Sequence, residues 1–89
     1  SFRGYADYME TTAFNDGMDE LMLWAANAPT VIMCAEAVWW RCHRQLIADA
    51  LVARGVAVQH IQTAASAPAH KLTEFARVDG KRVGYPGLL

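Results

Sequence analysis

Two cysteines, a glutamate, two arginines and a histidine fall within one short stretch, Cys34-Ala35-Glu36-Ala37-Val38-Trp39-Trp40-Arg41-Cys42-His43-Arg44. These types suit anion binding and thiol chemistry. A thiolate is a strong nucleophile, and cationic neighbours or a helix N-terminus favour it over the thiol. Cys42, at the start of a predicted helix, is better placed for this than Cys34. Both also read as small buried residues that fill a strand end and a helix face. Glu36 can act as a general base or as a carboxylate that orders Arg41 or Arg44. Arg44 and His43, with Arg41 beside them, are candidate anion ligands. Arginine presents a bidentate fork, and histidine carries or shuttles a proton. Trp39 and Trp40 can stack on a base or a sugar, or plug a small core. His60 is an accessory candidate from a second segment.

The elements around this stretch decide whether its residues converge. Apolar periodicity predicts helices over about 2–12 and 16–27, with Phe2, Tyr5, Tyr8, Met9 and Thr12 on one face of the first. Asn15 or Asp16 is the expected cap of the second, and Pro29 its stop. Thr30 to Cys34 is a short β-branched apolar run, read as a buried strand over about 30–34. A third helix over about 42–54 carries Leu46, Ile47, Ala50 and Leu51 inward and Gln45 and Asp49 outward. Gly55 then takes the left-handed position. Val56 to Ile61 reads as a second strand, over about 56–61. Strand, helix and strand make a βαβ core, and the crevice beyond its strand ends is where such folds bind ligands. Gln62 to Ala69 is a connecting loop, and His70 and Lys71 read as exposed. Asp79-Gly80 predicts a type I′ hairpin over about 75–85. The fold class is therefore α/β in a single domain over 1–89, with two N-terminal helices ahead of the βαβ core and a C-terminal hairpin.

Composition narrows the function classes. The chain has 89 residues, 54% of them hydrophobic and 19% charged, with a formal net charge of −1. That balance argues against general nucleic-acid binding, which shows a basic excess. No stretch is apolar enough to span a bilayer, and no leader is visible, so a cytoplasmic location is expected. Two cysteines do not make a disulfide scaffold. Neither a Cys34–Cys42 bond nor a zinc site at Cys34, Cys42 and His43 is favoured, and no metal or cofactor is expected.

Taken together, Phe2-Arg3-Gly4-Tyr5-Ala6-Asp7-Tyr8-Met9, Thr12 and Phe14, Met33-Cys34-Ala35-Glu36 and Cys42-His43-Arg44 resemble domain-of-unknown-function family 488. Leu46-Ile47-Ala48-Asp49, Val58, His60-Ile61, His70, Leu72-Thr73 and Phe75-Ala76 extend the resemblance over nearly all of the chain. It implies a small bacterial α/β protein with no assigned activity. It also implies a preceding strand with an arginine motif and a glycine-rich segment, so the chain is expected to be the C-terminal portion of a family member. The apolar surface left by that absence would be covered by a dimer or a rearranged sheet. Two function classes stay open. One is a site for a small anion, phosphate or carboxylate, that supports thiol-dependent chemistry. The other is a non-catalytic module that binds a protein or a nucleobase, in which Cys34 and Cys42 are structural.

Overall fold

The computed structural model describes residues 2–33 and 43–86. Along the chain it places helices α1 (Phe2–Tyr8), α2 (Thr12–Asn27) and α3 (Arg44–Ala53), then strands β1 (Arg77–Asp79) and β2 (Arg82–Gly84). The class is mixed α/β.

Local chemistry sets the boundaries. The first helix stops at Tyr8, short of the expected Thr12, because Thr11 turns the chain back. Its N–H and its hydroxyl both donate to the Tyr8 carbonyl, at 2.9 and 2.7 Å. Thr11 then caps α2, its Oγ1 accepting from the Phe14 N–H at 3.2 Å. This satisfies a first-turn donor that Asn15 and Asp16 were expected to reach. Both of those residues lie inside α2, and Asn15 instead accepts from the Arg54 guanidinium at 2.6 Å. The helix ends at Asn27, as Pro29 requires.

The C-terminal boundary of α3 follows expectation, with Gly55 at a φ of 81° after Ala53 and Arg54. A left-handed residue there costs glycine nothing. In the hairpin, Asp79 pairs with Arg82, so the two central turn residues are Gly80 and Lys81. Among the described residues only glycines have positive φ, and Gly80 is one of them at 63°. That is the type II′ pattern, glycine at the first central position, rather than the type I′ turn read from Asp79-Gly80.

The expected parallel pairing is absent among the described residues. Residues 30–33 form no strand, and position 34 lies outside the description. Residues 56–62 instead fold back on the segment that follows them. The N–H groups of His60, Gln62 and His70 donate to Pro68, Ser66 and Val58 at 2.8, 2.9 and 2.8 Å. The reversal lies at Thr63–Ser66, inside the stretch read as a loop. Local pairing closes a short loop at little entropic cost. Pro68 has no N–H to give, which limits the pairing to isolated bridges.

The core joins all three helices to β2. Ala6, Met9, Phe14, Met18, Leu46, Ala50, Leu51, Val83 and Tyr85 form one buried cluster. Tyr8 and Thr12, expected on the inner face of the first helix, are exposed. Two polar ties close the chain ends. Arg3 donates to the Tyr85 carbonyl at 2.9 Å, and Arg82 grips both oxygens of Glu10 at 2.8 and 3.0 Å. No helix among the described residues is long and apolar enough to cross a membrane.

Leu46 is fully buried at the centre of the cluster. Leu46→Ala leaves a cavity that a small domain closes only in part. It should cost about 3 kcal/mol, read as a lower urea midpoint at unchanged slope.

Candidate functional site

The site grows from one helical position. Asp49 lies one turn after Leu46 on α3 and is 0% exposed, where the sequence pattern placed it outward. A buried carboxylate costs several kcal/mol unless its oxygens are matched by donors. Here they are. The His70 Nε2–H donates to Oδ1 at 2.7 Å, and the Thr73 backbone N–H donates to the same oxygen at 2.9 Å. The Tyr85 hydroxyl donates to Oδ2 at 2.9 Å. The Gln45 side chain in turn donates to the Thr73 hydroxyl at 3.0 Å, which steadies that loop against α3.

The chain of contacts continues outward. Nδ1 of His70 faces Nε2 of His60 at 2.7 Å, with the rings near-perpendicular at 72° and their centroids 4.9 Å apart. A carboxylate only accepts, so His70 holds its proton on Nε2. In the neutral ring, Nδ1 then accepts from the Nε2–H of His60. The result is a buried line, Tyr85–Asp49–His70–His60. His70, expected to be an exposed loop residue, is at its middle. The antiparallel fold-back of 56–62 on 66–70 brings the two histidines together, since the His70 N–H binds the Val58 carbonyl and the His60 N–H binds that of Pro68.

His60 also lines a cavity of about 690 Å³. The cavity is lined by residues of α2, α3, 30–33 and 56–62. Described residues of both segments expected to pair as strands therefore line this space. Its wall is mostly apolar, with Thr30, Gln59, His60, Gln62 and Arg44 as polar members. Arg44 is the one charged side chain among the described lining residues.

The electrostatics follow from this packing. Burial pulls the His60 pKa below its ordinary value, and the neighbouring His70 and Arg44 add to that. Burial pushes the Tyr85 hydroxyl far up, reinforced by the Asp49 carboxylate it binds, so it stays protonated and remains a donor.

Of the residues singled out from the sequence, Arg44 and His60 come together at the cavity. His43 is exposed at the start of α3, its ring stacked on Tyr5 at 4.2 Å and 13°, and is not among the cavity's described lining. Cys34, Glu36, Trp39, Trp40, Arg41 and Cys42 lie outside the described residues. The sequence reading missed Asp49, His70, Thr73 and Tyr85. One signal for Asp49 was available, since it stands three residues after Leu46 and beside Ala48 and Ala50 on a helix with few polar positions.

The model of a family described as Domain of unknown function DUF488 matches residues 1–51, more than half of the chain. The match lies in the N-terminal part and does not run on toward Ala76 as the resemblance had. It includes Arg44 and Asp49 but stops before His60, His70 and Tyr85. No curated protein and no solved structure matches the chain.

The lowered pKa of His60 has a consequence for stability. A histidine depressed by folding contributes fully above its unfolded value of about 6.5, and that contribution is lost as pH falls from there through the folded value. The thermal midpoint should therefore decline as pH drops below about 6.5. His60→Gln should flatten that part of the curve in a melting series from pH 8 to 5.

Proposed function

We propose an anion-binding function for this chain, which belongs to the DUF488 family. The ligand is a small phosphate or carboxylate species, and the place is the cavity between α2, α3 and residues 56–62. One observation carries the reading. Arg44 and His60, distant in sequence and both suited to anions, line the same cavity, with no acidic side chain among its described lining residues. Arginine offers a bidentate match to either anion, and the His60 ring, whose Nε2–H is committed to His70, leaves Nδ1 to accept from a hydroxyl of a protonated ligand. A largely apolar wall strengthens such contacts by keeping water out.

Thiol chemistry belongs to the same proposal on sequence grounds. Cys34 and Cys42 fall between Met33 and Arg44, two residues of the cavity wall. In this reading one of the thiols is the reactive group, Glu36 orients it, and Arg41 and His43 add positive charge nearby.

Sulfate is the simplest probe. Titrated to 10 mM, it should shift the Arg44 side-chain and His60 ring resonances, and Arg44→Met should weaken its binding at least tenfold. Unmoved resonances at both residues would sink the anion site. If a thiol serves the site, the same sulfate should slow its alkylation by iodoacetamide at pH 7. Equal rates with and without sulfate would separate the cysteines from the anion site.

A further inference from the structure

Among the described residues the line runs from Tyr85 to His60, and anion binding as such needs only Arg44 and a single imidazole. The construction of the line points elsewhere. Four polar side chains from four separate parts of the chain, Asp49, His60, His70 and Tyr85, are buried in series. Their consecutive contacts measure 2.9, 2.7 and 2.7 Å. A carboxylate needs no second histidine for its own satisfaction, because Thr73, Tyr85 and His70 already serve it. The second histidine extends the line to the cavity.

We infer that Asp49, His70 and His60 form a proton relay that gives the cavity acid–base chemistry, with His60 taking a proton from a hydroxyl or water held beside Arg44 and His70 storing the charge against Asp49.

The neutral His60 ring holds its proton on Nε2, toward Nδ1 of His70. A proton leaving a bound O–H enters at His60 Nδ1, and the oxygen keeps the electron pair as an oxyanion beside the Arg44 guanidinium. The Nε2 proton of His60 then crosses the 2.7 Å to Nδ1 of His70. His60 is neutral again, and His70 is an imidazolium that donates to Asp49 Oδ1 across 2.7 Å. Nothing is oxidised or reduced, and reversal returns the proton to the ligand.

The surroundings oppose charge on His60. Among the described residues the charged and titratable groups beside the pair are Arg44 near His60 and Asp49 against His70, both from α3, with Tyr85 reaching Asp49 from the segment after β2. Burial, the second imidazole and the Arg44 guanidinium all oppose a charged His60. The one carboxylate of the line touches His70. Two histidines joined by one short bond titrate as a pair in two macroscopic steps; the first proton should appear in both rings, and the burial of His60 opposes the second. Asp49 and Tyr85 are positioning residues here, since neither lines the cavity.

The test is a ring nitrogen NMR titration of the whole chain from pH 8 to 4.5, with His60 and His70 assigned through single glutamine variants. The expected result is one step, one proton in size, seen at the same midpoint in both rings. Asp49→Asn should lower the proton affinity of that step at least tenfold. If the Asn variant does not fold by circular dichroism, Tyr85→Phe replaces it. Removing that donor concentrates charge on the carboxylate and should raise the midpoint.

Two separate midpoints, a step confined to one ring, or no proton uptake would overturn the relay and leave the line a structural cross-link. So would a step indifferent to the folded Asp49 variant or, in its place, to Tyr85→Phe. Sulfate at 10 mM distinguishes this from the anion reading. A shared step with no sulfate response keeps the relay and removes the anion site. A sulfate response at Arg44 without a shared step does the reverse.

Discussion

A carboxylate placed inside an apolar core has to be answered by donors, and that requirement organises this molecule. Asp49 sits on α3 among Leu46, Ala50 and Leu51. Its two oxygens draw in His70, Thr73 and Tyr85. Those three residues come from the long irregular segment after Gly55 and from the residue that follows β2. A segment with only isolated bridges of its own is thereby fixed to the helical half of the domain. The bonds hold because their alternative is a desolvated charge, whose cost exceeds that of an ordinary lost hydrogen bond.

The same anchoring shapes the cavity. With His70 pinned to α3, the fold-back of 56–62 is held at a set distance from the helix, and His60 is delivered to the cavity wall. Arg44, two residues before Leu46 on α3, lines the same space. Among the described residues the cavity is therefore lined by two helices, residues 30–33 and one loop excursion, with no parallel strands between them. Tyr85 ties the hairpin into this arrangement twice, through its hydroxyl to Asp49 and through its carbonyl to Arg3 of α1.

Much of the helical half was legible in the residues. Apolar spacing located α2 and α3, Pro29 marked the end of one, and Gly55 that of the other. These are local effects, settled within a turn of the helix. Capping was less legible because Thr11, Asn15 and Asp16 are all competent caps. Thr11 wins through its link back to Tyr8. Among the described residues the strands read at 30–34 and 56–61 do not pair with each other, for a different reason. β-branched apolar runs state that a segment is extended but do not name its neighbour, and the turn at Thr63–Ser66, directly after 56–62, offered that segment a nearer partner than residues 30–33. His70 was misread because flanking small and polar residues resemble loop chemistry whether or not one of them is buried.

By itself, then, the sequence determined the mixed class, the positions of the longer helices and the hairpin. Propensity, periodicity and side-chain chemistry are properties of a few adjacent residues. Tertiary structure alone decided that Asp49 is buried and that His70 is its partner. It decided too that Tyr85 closes the line and that His60 and Arg44 share one cavity. Each depends on bringing together residues between 10 and 36 positions apart. No local preference encodes such a meeting, because the burial that makes those contacts worth forming exists only once the core has assembled.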